Sequence, residues 1–144
     1  MRIYLDCEFN GFGGQLLSLA LVAENGKEWY GVMPEPAVWD EWVLMNVKPF
    51  LYYSAKGAEK FDTRNDFRRS MHEFLMQFDN PTIVADWYAD FIHFFSCFQG
   101  KDHSESIAYA CKTELILLDS YDSEYPHHAL SDARAIKQAL EKSA

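Results

Sequence analysis

The first 33 residues leave little freedom of topology. In "RIYLDCEF", Ile3, Leu5 and Cys7 alternate with Tyr4, Asp6 and Glu8, the period of two that a strand imposes. A glycine-rich turn, "GFGG" at residues 11–14, leads into the apolar run "QLLSLALVA", which reads as a well-buried strand. "ENGK" follows, and its central Asn25-Gly26 pair is a strong hairpin signal into "EWYGVM". Three consecutive strands joined by tight turns make an antiparallel meander.

The remainder alternates helical and extended patterns. After "PEP", residues 38–47 read as helical, and residues 62–78 as an amphipathic helix broken by Asn80-Pro81. "TIVA" is a short buried strand, and residues 87–98 a helix with Phe91, Phe94, Phe95 and Phe98 at core spacing. "SIAYACKTELILLD" supplies another strand and a further turn of helix or strand. Pro126 is expected to open the last helix, which runs to about Lys142. The order predicts an α/β fold, a mixed sheet flanked by helices. With no linker, repeat or low-complexity tract, a single domain over residues 1–144 is expected.

Charge narrows the function. The chain carries a formal −9, with 13 basic residues against 22 acidic ones. Such a balance argues against direct phosphate binding through lysine and arginine. Acidic residues can instead hold divalent cations, which then meet the phosphate. Six of the 13 basic residues, Lys48, Lys56, Lys60, Arg64, Arg68 and Arg69, fall between residues 48 and 69 beside Phe50, Tyr52, Tyr53 and Phe61. That composition fits either a base-stacking basic track or a solvated helix face beside core aromatics. The cysteines Cys7, Cys97 and Cys111 are odd in number and form no C-x-x-C pair, so reduced thiols and no zinc site are expected. No apolar run approaches a membrane span, and the early charges Arg2, Asp6 and Glu8 leave no signal-peptide core, so the expected location is cytoplasmic.

Three groups of residues carry chemistry. Asp6 and Glu8 stand two apart on one strand, so both side chains leave the same face while Leu5, Cys7 and Phe9 make the other face apolar. Two like charges held side by side need a cation or hydrogen bonds between them, and their hard oxygens suit a hard divalent metal. Asp86 and Asp90 both follow the "TIVA" strand, where either can ligate or cap a helix. In "YPHHALSDARA", helical spacing pairs His128 with Asp132 at i, i+4 and rotates His127 away.

Together these motifs resemble the DnaQ-like 3'-5' exonucleases of the DEDDh group, over residues 3 to about 140. "LDCEFNG" is similar to their first motif, D-x-E-x-T/N-G, and "HHALSDA" to their third, H-x-A-L-x-D-A. "IVADWYAD" fits a second motif ending on Asp90. The short length and the meander sequence look most like the small mycobacterial-type exoribonucleases. The resemblance implies a ribonuclease-H-like fold with two divalent ions, Mg²⁺ or Mn²⁺, held by Asp6, Glu8, Asp90 and Asp132. It makes His127 the general base, five residues before Asp132, with His128 its variable neighbour and rival. Asp86 stands as the rival to Asp90. Asn10, Gly11 and Phe12 would meet the 3'-terminal nucleotide. Single-stranded nucleic acid, RNA favoured over DNA, is the implied substrate, nucleoside 5'-monophosphates the products, and a homodimer the implied assembly. What departs from the family is the acidity of the chain and its lack of a recognisable basic groove.

Two readings from other classes stand beside the enzyme. A catalytically idle DnaQ-like binding module would bind no metal. An acidic nucleic-acid mimic would not depend on Asp6 and Glu8 as a pair.

Overall fold

The computed structural model describes residues 1–53 and 59–143. Strands β1 (Arg2–Phe9), β2 (Leu16–Ala23) and β3 (Glu28–Val32) form the expected antiparallel meander. Gly26, at φ +89°, makes the β2–β3 turn in a conformation that costs glycine nothing. A short helix, α1 (Glu41–Asn46), precedes the two-residue strand β4 (Glu59–Lys60) and helix α2 (Arg64–Leu75). Strand β5 (Thr82–Ala85), helix α3 (Tyr88–Ser96), strand β6 (Lys112–Leu115) and helix α4 (Ala129–Lys142) complete the chain.

The sheet runs β4-β3-β2-β1-β5-β6, with β5 parallel to β1 and β6 parallel to β5. This is a mixed α/β fold consistent with the ribonuclease-H-like architecture. β2 is buried along its whole length, and apart from Ser18 its residues are apolar on both faces. On one face, Ile3, Leu5, Leu19, Leu21 and Ile83 pack against Phe67, Met71 and Leu75 of α2 and Phe94 of α3. On the other, Ala20, Val22 and Tyr30 meet Val43 of α1 and Ala129, Leu130 and Ala133 of α4, while Tyr4 and Val84 meet Ile136. The bidentate Arg134–Glu28 pair ties α4 to β3.

Three expectations are corrected. Residues 38–40 lie outside α1, because the Asp40 carboxylate caps the helix by accepting from the Val43 N–H at 3.1 Å. Phe95, read as core, is 41% exposed. The last helix does not open at Pro126. His127 sits in the left-handed region at φ +65°, and His128 is the extended N-cap, its Nδ1 accepting from the Ser131 N–H. A proline-initiated helix cannot pass through a residue with positive φ.

The basic segment is divided rather than continuous. Arg68 is only 4% exposed, and its guanidinium donates to the carbonyls of Cys97, Phe98 and Glu105 and to Asn65. It thus closes the carboxyl end of α3, where a cation is favoured by the helix dipole. Phe61 packs on Trp29 and Phe67. Lys48 lies over the Trp39 ring and Lys60 over the Tyr52 ring, and Lys56 lies outside the described residues. Arg68→Met, which strands several buried carbonyls, is expected to cost about 3 kcal/mol. Urea unfolding checks this: the midpoint falls at constant slope, and an unchanged midpoint would show that the arginine is dispensable.

Candidate functional site

The carboxyl ends of β1 and β5 and the amino ends of α3 and α4 converge on one cleft of about 520 Å³. β1 delivers Asp6 and Glu8 to it on the face shared with Ala20 and Ser18 of β2. The apolar Tyr4 side of that face is sealed by α4, so the strand is buried until it reaches the two acids. A bulge after Glu8 ends the regular pairing and turns the chain into the glycine loop. Asp86 follows β5, Asp90 lies in the first turn of α3, and Asp132 in the first turn of α4. Cys7, on the opposite face of β1, meets the Asp90 carbonyl at 3.8 Å. Its thiol is pushed up strongly by burial, which suits an inert packing residue.

The carboxylates form two groups that share Asp6. Oxygens of Asp6, Glu8 and Asp132 lie within 4.8 Å of one another, and so do those of Asp6, Asp86 and Asp90. Asp6, Asp90 and Asp132 are buried, whereas Glu8 and Asp86 are half-buried. Asp6 Oδ2 is inaccessible and has no hydrogen-bond partner among the described residues. Burial, and then the charges of Asp90 and Glu8, push the Asp6 carboxyl well above its usual range. Glu8 is raised well by burial and by Asp132, and Asp90 reaches about 8 through burial and Asp86. Asp132 and Asp86 are raised by burial. All five groups share one direction, as expected of an oxygen cage that needs a cation. This clustered, buried acid can hold divalent metal.

A raised folded-state pKa means that the folded protein retains protons that the unfolded chain has released. The stability contributed is therefore complete below the unfolded value of about 4 and lost as pH rises toward about 8. In chelator, the melting temperature is expected to fall across that window, and Mn²⁺ to restore it at the alkaline end. A metal-free profile that is flat or rises would contradict this.

The two histidines separate sharply. His127 is exposed and lines the cleft; its backbone N–H donates to Asp132 Oδ2 at 3.2 Å. His128 is 3% exposed, turned into the core against the Tyr30 ring at 4.9 Å, and lies outside the cleft lining. Helical spacing failed here because the helix begins one residue after His128.

The glycine loop is placed at the cleft mouth. Gly11 and Phe12 line it, and Phe12 is 95% exposed. Gly11 has φ +76°, and a Cβ there would come within 3.0 Å of the Asp40 carboxylate, so only glycine suits the position. Asn10 is engaged otherwise than expected. Its Nδ2 donates to the Val38 carbonyl and its Oδ1 accepts from the Asp40 N–H, both at 2.8 Å. Its side chain fastens residues 38–40. Trp42, Trp87 and Tyr121 also line the cleft and were not singled out in the sequence. Burial and the surrounding carboxylates raise the Tyr121 phenol. These aromatics come from separate parts of the chain and carry no spacing that marks them as neighbours.

Fold and cleft together define an α/β domain with a buried polycarboxylate centre and one exposed histidine beside it. No family model matches the chain. Over 91 residues it is 33% identical to the 3'-5' exoribonuclease of Mycobacterium tuberculosis, in two strains of that organism. The match covers 60% of this chain and 52% of each relative, so the chain spans about half the length of the curated relatives it matches.

Proposed function

We propose that the chain is a metal-dependent 3'-5' exonuclease that releases nucleoside 5'-monophosphates from single-stranded nucleic acid, RNA in preference to DNA. The observation that carries this reading is the pair of carboxylate groups meeting at the orphaned Asp6 oxygen, with His127 exposed beside them. The exoribonuclease name of the M. tuberculosis relatives supports the RNA preference.

In this reading Asp6, Glu8, Asp90 and Asp132 hold two divalent ions, Mg²⁺ or Mn²⁺, and Asp86 is the rival to Asp90. Bound there, the ions would supply the positive charge that an anionic phosphodiester requires and would make a water easier to deprotonate. His127 accepts a proton from that water, a task suited to imidazole at neutral pH. The water oxygen bonds to phosphorus, the bond from phosphorus to the 3'-oxygen breaks, and the shortened strand leaves with a 3'-hydroxyl. Phe12 and the Gly11 backbone meet the terminal nucleotide at the cleft mouth. Asn10 acts indirectly, by holding the loop opposite. The resemblance further suggests one domain over residues 1–144 that works as a homodimer in the cytoplasm.

The test is product analysis by liquid chromatography after incubation of matched RNA and DNA strands with Mn²⁺. Nucleoside 5'-monophosphates, formed faster from RNA, are the expected result. Nucleoside 3'-phosphates or internal fragments would refute the reading.

A further inference from the structure

His127 is held by its backbone, while its ring has little to orient it. The peptide N–H is bonded to Asp132, and the left-handed φ fixes where the side chain departs. No hydrogen bond to its imidazole is made by any described residue. Its ring contact is with Trp42, at 5.0 Å between centroids and 84° between planes, an edge-to-face arrangement. Both rings line the cleft that contains Glu8 and Asp132.

Trp42 itself is firmly based, although 53% exposed. It is the second residue of α1, whose Val43 is buried against the sheet and whose first turn is capped by Asp40. The Asp40 N–H and the Val38 carbonyl are both bonded to the Asn10 amide. The Trp42 carbonyl accepts from Asn46 Nδ2 at 2.8 Å. Asn10 lies two residues beyond Glu8, so the turn that directly follows the acid-bearing strand also anchors the helix that carries the indole.

We propose that Trp42 is a positioning residue for His127, its indole setting the rotamer of the imidazole over the acidic cleft while the Asn10–Asp40 staple holds the indole in place. The inference rests on His127 being the base of the proposed reaction. A ring free to rotate would spend most of its time off the water it must deprotonate, and misplacement is costly for proton transfer. The competing use of an exposed tryptophan beside a cleft, a platform for a nucleobase, predicts a different set of losses.

The test uses the full chain with Trp42→Leu, Trp42→Phe, His127→Ala and the Trp42→Leu/His127→Ala double variant. In the metal-free protein, the imidazole proton resonances of His127, identified by their loss in His127→Ala, are expected to shift in Trp42→Leu as the indole ring current is removed. At saturating RNA with Mn²⁺, Trp42→Leu is expected to lower kcat by about 10- to 100-fold with KM unchanged. Trp42→Phe, which keeps an aromatic ring, should recover most of that loss. In the His127→Ala background, Trp42→Leu should cost nothing further. An equal loss in both backgrounds, a loss confined to KM, or unmoved resonances would overturn the proposal. If the wild-type protein cleaves no RNA, the exonuclease reading fails by itself, and the resonance shift still decides whether Trp42 orders His127.

Discussion

Asp6→Asn is expected to reduce metal-dependent hydrolysis by more than about 10²-fold, the loss that even outer-sphere partners of a metal approach. The position belongs to both carboxylate groups, so one substitution weakens two sets of ligands at once. The same variant should become more stable where metal is absent. Burial and four neighbouring carboxylates raise the Asp6 carboxyl, so its ionised form is a liability in the metal-free fold. At pH 8 in chelator, Asp6→Asn should therefore melt above the wild type, and the difference should shrink as pH falls and vanish only below the unfolded value of about 4, where the acid is protonated in both states. Activity lost together with stability would make Asp6 a structural residue. Activity retained would remove it from the site.

His127→Ala should lower kcat by about 10²–10⁴-fold, as loss of a general base does, with little effect on melting because the ring is exposed. His128→Ala should show the opposite pattern. It removes the cap of α4 and a ring packed on Tyr30, a loss of about 1 kcal/mol from the cap and more from the cavity. Folded His128→Ala should cleave within a few-fold of wild type. Rates measured per folded molecule beside melting curves separate the two variants. An inactive His128→Ala of normal stability would reverse the assignment.

Local pattern made much of this architecture legible. The alternation in β1, the apolar run of β2 and the Asn25-Gly26 turn specify the meander without help from distant residues. Strand periodicity likewise places Asp6 and Glu8 on one face, and the structure finds them there. The failures occur where tertiary contacts decide. Pro126 and a helix-like spacing predicted a helix that the positive φ of His127 delays until Ala129. Nothing local distinguishes Asp86 from Asp90, because both reach the Asp6 group from the two sides of one strand–helix junction. Arg68 read as a surface cation because the carbonyls that bury it arrive from residues 97–105. The bonds of Asn10 to residues 38 and 40 were not legible because the chain it fastens lies nearly 30 residues further on. The two-residue pairing of β4 with β3 is too short to leave any periodicity.

In the proposed reaction the acidic cleft hydrolyses nucleic acid from its 3' end. A gel time course with 5'-labelled single-stranded RNA, run with Mn²⁺, with chelator and with Asp6→Asn, tests it most directly. A ladder that shortens from the 3' end with Mn²⁺ alone is the expected result. Intact RNA in every lane, with the protein folded and Mn²⁺ bound, would contradict it, as would a ladder that persists in Asp6→Asn.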